Sequence, residues 1–222
     1  MKIKIHKEGW VYFIIIFIIS IIILPLFPII GIFFFILSIY IYYFFRDPIR
    51  SIPNDDLVVS PADGIVTFVG EADSPLDIHK DKKLLKISIF LNIFNVHVNR
   101  VPITGLIKSI NYIHGKFFNA TLDKSSKDNE RNIIVLEKDN KDIVIVVQIA
   151  GLIARRIVCE VKENQIIAKG NRFGIIKFGS RVDLYLPEKY NIQVAVGQTV
   201  VGGETIVSNP NNIKNVSGVT RN

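Results

Sequence analysis

Hydrophobic and polar positions divide the chain into two regions of different character. Residues 9–45 contain no charged side chain and consist mainly of Ile, Phe, Leu, Val and Tyr, whereas charged residues recur elsewhere. An uncharged apolar run of more than about 18 residues predicts insertion into a membrane. Because Pro25 and Pro28 interrupt the run and proline breaks helices, we predict a hairpin of two short helices near 10–24 and 29–45.

Basic residues flank this hairpin on both sides, with three lysines before it and Arg46 and Arg50 after it. Positive flanks favour the cytoplasmic side of the inner membrane, so we expect the rest of the chain to lie there. Helices of about 15 residues are short for a full span, and both a spanning and a re-entrant hairpin remain open. A cleaved signal peptide is disfavoured, since the apolar region is too long and no small-residue cleavage site follows it.

The remainder of the chain has the pattern of a β-rich domain. Short runs rich in Val and Ile alternate with Gly, Asn, Asp or Pro, which predicts a mainly β fold, a compact β-sandwich or barrel-like hybrid domain. In the run 181–186, Val182 and Leu184 alternate with Asp183 and Tyr185, so one face of that strand belongs to the core. The predicted strands are 57–59, 64–70, 84–91, 95–98, 106–113, 132–137, 142–149, 156–162, 174–178, 181–186 and 191–196.

Composition also predicts the domain boundaries. The hairpin anchor covers 1–45, a linker rich in proline and charge covers 46–56, and the β domain covers 57–207. The Asn-, Ser- and Gly-rich segment 208–222 is expected to be a flexible tail. The polar stretch 117–131 is either helical or a functional loop.

The net charge of +7 is consistent with either nucleic acid or an anionic membrane surface as partner. The apolar anchor favours the membrane, and no nucleic-acid-binding motif is present. Cys159 is the only cysteine, so no intramolecular disulfide can form. The four histidines lack metal-ligand spacing, and we therefore predict no metal.

Three short motifs carry side chains that can move protons. Asp63 lies in a Pro-Ala-Asp-Gly turn, His97 lies in a Val-rich segment, and Ser180 follows Gly179. Glycine leaves its carbonyl open to approach, and a serine hydroxyl activated by a base can attack that carbonyl. A carboxylate can orient the imidazole that removes the hydroxyl proton. Each motif alone is explained by a turn or a structural residue, so only the combination indicates chemistry.

In this order and spacing the motifs resemble those of the phosphatidylserine decarboxylases, in the short bacterial and archaeal form of that family. The resemblance covers nearly the whole chain. The matching segments are the basic apolar N-terminus, 43–48, 59–64, 90–102, 115–120, 149–151, 178–180 and 202–205.

The resemblance implies that Ser180 attacks the Gly179 carbonyl and that the precursor is cut into 1–179 and 180–222. The two pieces are expected to stay together as a heterodimer. Ser180 becomes a covalent pyruvoyl group, the cofactor that forms a Schiff base with the phospholipid substrate. The implied reaction converts phosphatidylserine to phosphatidylethanolamine and CO2, with His97 and Asp63 as further catalytic residues.

The chain departs from longer family members, which carry a His-x-x-His motif where this sequence has His97 and Arg100. Which residue replaces the second histidine in self-cleavage stays open: His97 serves both steps, or Asp63 acts through water. The lipid phosphate requires a cation. The proposed binding residues are Arg100, Lys116 and Arg131, with Arg155 and Arg156 as further candidates.

Two other interpretations are considered beside this one. Archaetidylserine, with ether-linked isoprenoid chains, presents the same head group, so the lipid backbone stays open. A non-enzymatic membrane-anchored adaptor with a lipoyl-like domain is disfavoured, because no lysine occupies a hairpin tip. Denaturing electrophoresis separates the two classes, since a self-cleaving enzyme runs as two pieces and an adaptor as one.

Overall fold

The computed structural model describes residues 4–76, 83–115, 128–151, 156–177 and 180–210. The chain divides into two units, Met1–Ile49 and Arg50–Asn222. Two helices dominate the first unit and antiparallel strands dominate the second. The predicted mainly β fold preceded by a helical hairpin is therefore confirmed.

The first unit is a helical hairpin closed by a short strand pair. Helix α1 (Lys7–Ile23) ends ahead of the first proline, and helix α2 (Pro28–Phe44) begins on the second. Proline is tolerated in the first turn of a helix, so it starts α2 where it would break a continuing helix. Strand β1 (Lys4–Ile5) pairs antiparallel with β2 (Arg46–Asp47) and brings the two ends of the hairpin together.

Small residues allow the two helices to approach closely. Gly9, Ser20, Gly31 and Ser38 are buried, and a Cβ added to Gly31 would lie 2.4 Å from the Cα of Leu24. Most of the large apolar side chains lie on the outside of this pair instead. Among the described residues, no helix combines the length and the hydrophobicity needed to cross a membrane.

The second unit contains one large and two small antiparallel sheets. The large sheet has the strand order β11-β7-β8-β9-β13-β5-β4-β15, and the small sheets have the orders β10-β12-β6 and β14-β16-β3. The strands are β3 (Val58–Val59), β4 (Gly64–Asp73), β5 (Lys83–Leu91), β6 (Val98–Arg100), β7 (Gly105–Ile113), β8 (Arg131–Glu137), β9 (Ile143–Ala150), β10 (Ile157–Cys159), β11 (Ile166–Ile167), β12 (Arg172–Ile176), β13 (Ser180–Pro187), β14 (Asn191–Ile192), β15 (Thr199–Val200) and β16 (Ile206–Asn209).

Strand β13 lies inside the large sheet and is buried on both faces. Val182 and Leu184 belong to the main core, as their alternation predicts. Asp183 and Tyr185 on the opposite face are also buried, and Tyr185 packs in a second apolar cluster. The strand is therefore an interior element of the fold from Ser180 to Leu186.

Several boundaries differ from their predictions, and two of them have a clear structural basis. The strand expected at 95–98 begins at Val98, because Asn92 and Asn95 close a turn in which the Asn95 side chain accepts from the Asn92 amide at 2.9 Å. The final strand extends to Asn209, two residues into the expected tail, and Ser208 is fully buried. Most of the stretch 117–131 and of the tail lies outside the described residues.

Candidate active site

Ser180 is the first residue of the interior strand β13. Its Cα lies opposite Leu91 of β5 on one side and opposite Ala150 of β9 on the other. The residue is fully buried, and its hydroxyl makes no hydrogen bond to any residue that the structure describes. Buried hydroxyls without partners are rare in native structures and call for an explanation. Phe178 and Gly179 lie outside the described residues.

His97 lies in the segment that runs beside the one leading to Ser180. Its carbonyl oxygen accepts from the amide of Ile176 at 3.3 Å, while Leu91 lies opposite Ser180. Contacts therefore join the two segments at Ile176 and at Ser180. Between these two residues the chain passes from the small sheet of β12 to the large sheet of β13.

The fully buried imidazole of His97 is oriented by its own turn. Nδ1 lies 3.0 Å from the carbonyl oxygen of Asn95. A carbonyl only accepts, so Nδ1 carries the proton and Nε2 is the basic nitrogen. This is the tautomer that a histidine acting as a general base through Nε2 requires.

Asp63 is held as one half of an ion pair. Nη2 of Arg50 lies 2.9 and 2.7 Å from the two carboxylate oxygens, and the amide of Gly202 donates to Oδ1 at 2.8 Å. Gly202 is suited to this contact, because a Cβ there would come within 3.2 Å of Ala62 and Asp63. Asp63 therefore fixes the turn after Pro61 to Arg50, in the segment that follows the helical hairpin.

Of the predicted phosphate ligands, Arg100 is buried within the fold. Its Nη1 donates to the carbonyl of Gly170 at 2.9 Å, and its backbone amide donates to Pro61 at 2.9 Å. Arg131, at the start of β8, donates to the carbonyl of Asn129 at 3.3 Å and by strand alternation faces away from the Ser180 side of the sheet. The phosphate role of both stays a prediction.

Of the other three candidate cations, one is exposed and two lie in segments outside the described residues. Arg156 is exposed. Lys116 and Arg155 lie outside the described residues. The sequence favours Arg100 among the five cations, because it lies two residues before Pro102 and three after His97. A basic side chain near a motif is otherwise typical of a solvated surface.

A row of buried amide side chains lies near Ser180 and was not predicted. Asn132 donates to Oε1 of Gln148 at 2.9 Å, and Gln148 donates to Oδ1 of Asn99 at 2.8 Å. All three residues are fully buried. In the sequence, such a buried amide is indicated by a single polar residue within a strand of Ile and Val, as at Asn132 and Gln148.

Strand register places two of these amides, Gln148 and Asn132, on the same face of the large sheet as Ser180. Gln148 lies opposite both Val182 and Asn132, and Val182 is two residues beyond Ser180. Successive side chains alternate between faces, so Ser180, Gln148 and Asn132 project to one side. The serine hydroxyl therefore lies where an apolar core meets a set of buried amides.

The opposite face of β13 carries a buried charge cluster. Asp183 lies 3.1 Å from Nζ of Lys86 and 2.9 Å from Nε of Arg181. Burial and the negative charge of Asp183 raise the pKa of Tyr185 well above its ordinary value. This cluster is structural in position, since it faces away from Ser180.

Comparison with known proteins gives the class of enzyme. Residues 37–208 match the family model described as phosphatidylserine decarboxylase. The chain is 52% identical over 208 residues to the phosphatidylserine decarboxylase proenzyme of Ehrlichia chaffeensis. The aligned region covers 92% of this chain and 91% of that one. It is also 48% identical to the proenzyme of Rickettsia typhi, over 92% of this chain and 89% of that one. The identity to the proenzyme of a Wolbachia from Brugia malayi is 48% as well, over 94% of this chain and 92% of that one.

These matches define a carboxy-lyase whose relatives are called proenzymes. The chain belongs to the phosphatidylserine decarboxylase family. The resemblance predicted from the sequence motifs is confirmed, and the adaptor interpretation is excluded.

Proposed function

We propose that the chain is a self-processing decarboxylase that forms phosphatidylethanolamine and CO2 from phosphatidylserine. Membership of the family supports the reaction. The observation that carries the self-processing step is the buried hydroxyl of Ser180, which has no partner in the described structure and starts a strand beside the His97 segment. A hydroxyl so placed is available to react with the carbonyl of the residue before it.

The first step is the attack of Ser180 Oγ on the carbonyl carbon of Gly179. Nε2 of His97 takes the hydroxyl proton as the C–O bond forms. The C–N bond then breaks, and the departing nitrogen receives that proton from His97 and becomes an amine. Removal of the Cα proton of residue 180 then expels the carboxylate of Gly179, which cuts the chain into 1–179 and 180–222. Water replaces the nitrogen of residue 180, which leaves as ammonia.

The pyruvoyl group that results from Ser180 supplies an electron-withdrawing carbonyl for the substrate amine. The residues around Ser180 fit such a group, because Ser180 is fully buried between Leu91 and Ala150 on the two flanking strands, and Gln148 lies on the same face of the sheet. His97, with Nδ1 held by Asn95, delivers a proton from Nε2 to the carbon that has lost CO2.

Asp63 belongs to the proposed catalytic set and is held by polar contacts. Arg50 and the amide of Gly202 both donate to its carboxylate. The same turn contacts the histidine segment, because the amide of Arg100, three residues after His97, donates to the carbonyl of Pro61 at 2.9 Å. By fixing this turn, Asp63 helps to position the histidine segment.

The phosphate of the lipid is proposed to bind one of the cations Arg100, Lys116 and Arg131. A phosphate ligand contributes to binding of substrate and transition state alike, so its loss raises KM more than it lowers kcat. A variant of each residue, assayed for KM and kcat separately, distinguishes a phosphate ligand from a structural cation. Loss of kcat with unchanged KM would contradict the binding role.

The helical hairpin is proposed to hold the enzyme on the cytoplasmic side of the inner membrane. Large apolar side chains are exposed on both helices, including Trp10 (46%) and Ile29 (85%). An apolar surface of this extent marks a contact with a membrane or a partner. The substrate is a lipid that remains in the bilayer, which makes the membrane the more direct explanation.

Intact-mass analysis of the purified protein tests the processing step. We expect two pieces with the boundaries 1–179 and 180–222, the smaller one with a blocked N-terminus that bears a reducible carbonyl. The Ser180→Ala variant is expected to remain full-length and inactive. An active preparation that contains only uncut chain would contradict the proposed self-processing mechanism.

A further inference from the structure

Glu130 is a buried carboxylate on the same face of the large sheet as Ser180. It immediately precedes β8, and its carbonyl oxygen accepts from the amide of Ala150 at 2.9 Å. Ala150 lies opposite Ser180 on the next strand. Residues opposite each other on antiparallel strands project to the same side, so the three side chains form one row across the sheet. Glu130 is only 8% exposed, which places its carboxylate within the fold.

A hydrogen bond to Tyr112 confirms the side of the sheet on which Glu130 lies. Tyr112 on β7 is opposite Asn132, and Asn132 projects to the Ser180 face. The hydroxyl of Tyr112 bonds Oε1 of Glu130. A side chain that reaches this hydroxyl therefore projects to the Ser180 face as well.

The Tyr112 hydroxyl also connects Glu130 to the part of the site that carries His97. Burial, followed by the hydrogen bond to Glu130, raises the pKa of Tyr112 well above its ordinary value, against a smaller effect of a hydrogen bond with the Ile157 backbone. Tyr112 therefore stays protonated and donates to Glu130. Ile157 lies opposite Ile176, whose amide donates to the carbonyl of His97 at 3.3 Å.

The interval between Glu130 and Ser180 suits a small ligand group. Neighbouring strands lie about 4.8 Å apart, so the two backbones are separated by about 10 Å. Ala150 contributes only a methyl group on the strand between them. An ammonium about 2.8 Å from a carboxylate oxygen and about 3 Å from the carbon that it attacks fits such an interval.

The charge of Glu130 indicates which group of the substrate it accepts. Within the described residues Glu130 forms no ion pair. A carboxylate removed from water is ordinarily compensated by a cation, because burial of an unpaired charge is costly. The head group of phosphatidylserine brings one cation, its ammonium, and two anionic groups that a carboxylate repels. The chemistry of Glu130 therefore matches the amino group.

We propose that the carboxylate of Glu130 binds the ammonium of the substrate and holds its nitrogen beside the carbonyl formed from Ser180. This inference rests on the proposed function. Because Tyr112 bonds Oε1, the ammonium is assigned to Oε2. The ion pair makes the amino group the feature by which the head group is selected, and it leaves the phosphate and the carboxylate to other residues.

Binding of two short-chain, dispersed lipids to the cut protein tests this assignment. Treatment with borohydride first reduces the carbonyl, so that calorimetry measures binding without turnover. One lipid is phosphatidylserine, and the other carries 3-hydroxypropionate, which is serine without its amino group. We expect the unaltered protein to bind phosphatidylserine about 10–100-fold more tightly, the range of a hydrogen bond to a charged group.

Glu130→Gln keeps the shape of the side chain and an acceptor for Tyr112 but removes the charge. Its preparations are used after intact-mass analysis has shown the cut. We expect this variant to bind both lipids with similar affinity, through loss of phosphatidylserine binding alone, and kcat/KM of the untreated variant to fall by a similar factor. Glu163→Gln is the matched control and should keep the full preference, because Glu163 is exposed and accepts from the amide of Ile110 at 2.8 Å.

An undiminished preference for phosphatidylserine in Glu130→Gln would overturn the inference. Equal losses for both lipids would overturn it as well, since they would indicate a structural role. If Glu130→Gln is not cut, Glu130→Asp carries the same comparison, because it withdraws the charge by one methylene; an unchanged preference would then contradict the assignment. Failure of the unaltered chain to cut itself contradicts the proposed function instead, so the two failures are distinguishable.

Discussion

Arg50 binds both carboxylate oxygens of Asp63 through a single guanidinium nitrogen, at 2.9 and 2.7 Å. The two side chains are 10% and 15% exposed, so the pair is largely removed from water. A proposed catalytic aspartate is therefore joined to the first residue of the second unit. Arg50, in the segment that follows the helical hairpin, therefore helps to hold Asp63 in place.

Replacing Arg50 by Ala should destabilise the protein. The substitution leaves the Asp63 carboxylate largely buried with only the Gly202 amide to stabilise it, at a cost of about 3 kcal/mol. Urea unfolding of the uncut Ser180→Ala form measures the change. Lys83→Ala is the control, because its ion pair with Glu71 is 69% and 55% exposed and should contribute at most about 1 kcal/mol. Equal effects of the two substitutions would contradict the structural role of Arg50.

Replacing His97 by Ala should abolish decarboxylation. Loss of a positioned acid or base typically costs 10²–10⁴-fold in rate, and we also expect slower self-cleavage. Turnover per cut molecule separates the two effects. His114→Ala is the matched control, since His114 is exposed and lies edge-on to Tyr112. Normal turnover of a cut His97→Ala protein would show that the histidine is structural.

Glu137 should titrate far below an ordinary glutamate. Hydrogen bonds from Lys108 and Lys141 lower its pKa to about 2. A lowered pKa in the folded state stabilises the protein above the unfolded value near 4.5, and this contribution is lost as the pH falls toward 2. Carboxyl carbon chemical shifts report the titration directly. Lys108→Ala should raise the pKa of Glu137, whereas an unchanged midpoint would show that Lys108 does not contact it in solution.

Deleting residues 1–45 should leave a chain that cuts itself and is soluble. This truncation retains Arg50 and hence the ion pair of Asp63. We expect slow turnover of phosphatidylserine in bilayers and faster turnover of a short-chain, dispersed form. Deleting residues 1–50 removes Arg50 as well, and processing should then be impaired.

The pair of truncations separates anchoring from folding. Full activity of the shorter deletion on bilayers would show that the hairpin is not needed for access to the lipid. Failure of that same protein to cut itself would show that the hairpin is required for the fold. Identical processing of the two truncated chains would contradict the role assigned to Arg50.

Hydrophobic periodicity predicted the strands well where one face is apolar, as along β13. It could not predict which strands meet, because register depends on contacts distant in sequence. Thus the pairing of Ser180 with Leu91 and Ala150 appears only in the fold. The motifs identified Ser180 and His97 as residues, but their relative position also needed the register.

Polar contacts were the least predictable part of the site. Arg50 lies in a segment rich in charge and proline, and nothing local indicates that it pairs with Asp63. Gln148 stands out in the sequence only as a lone polar residue in a strand of Ile and Val, and its bond to Asn99 appears only when the sheets pack together. Such contacts depend on burial and mutual geometry, which local sequence patterns do not reveal.

The interior position of β13 has a consequence for the lifetime of the enzyme. With the proposed cut, the cofactor becomes the end of a strand that is hydrogen-bonded on both sides, to β5 and to β9. It can be neither exchanged nor replenished, unlike a coenzyme that dissociates and rebinds. Each molecule would acquire this group once, when its precursor is cut. Chemical damage to the group would then inactivate the whole protein permanently. The cell could restore activity only by translating a new one.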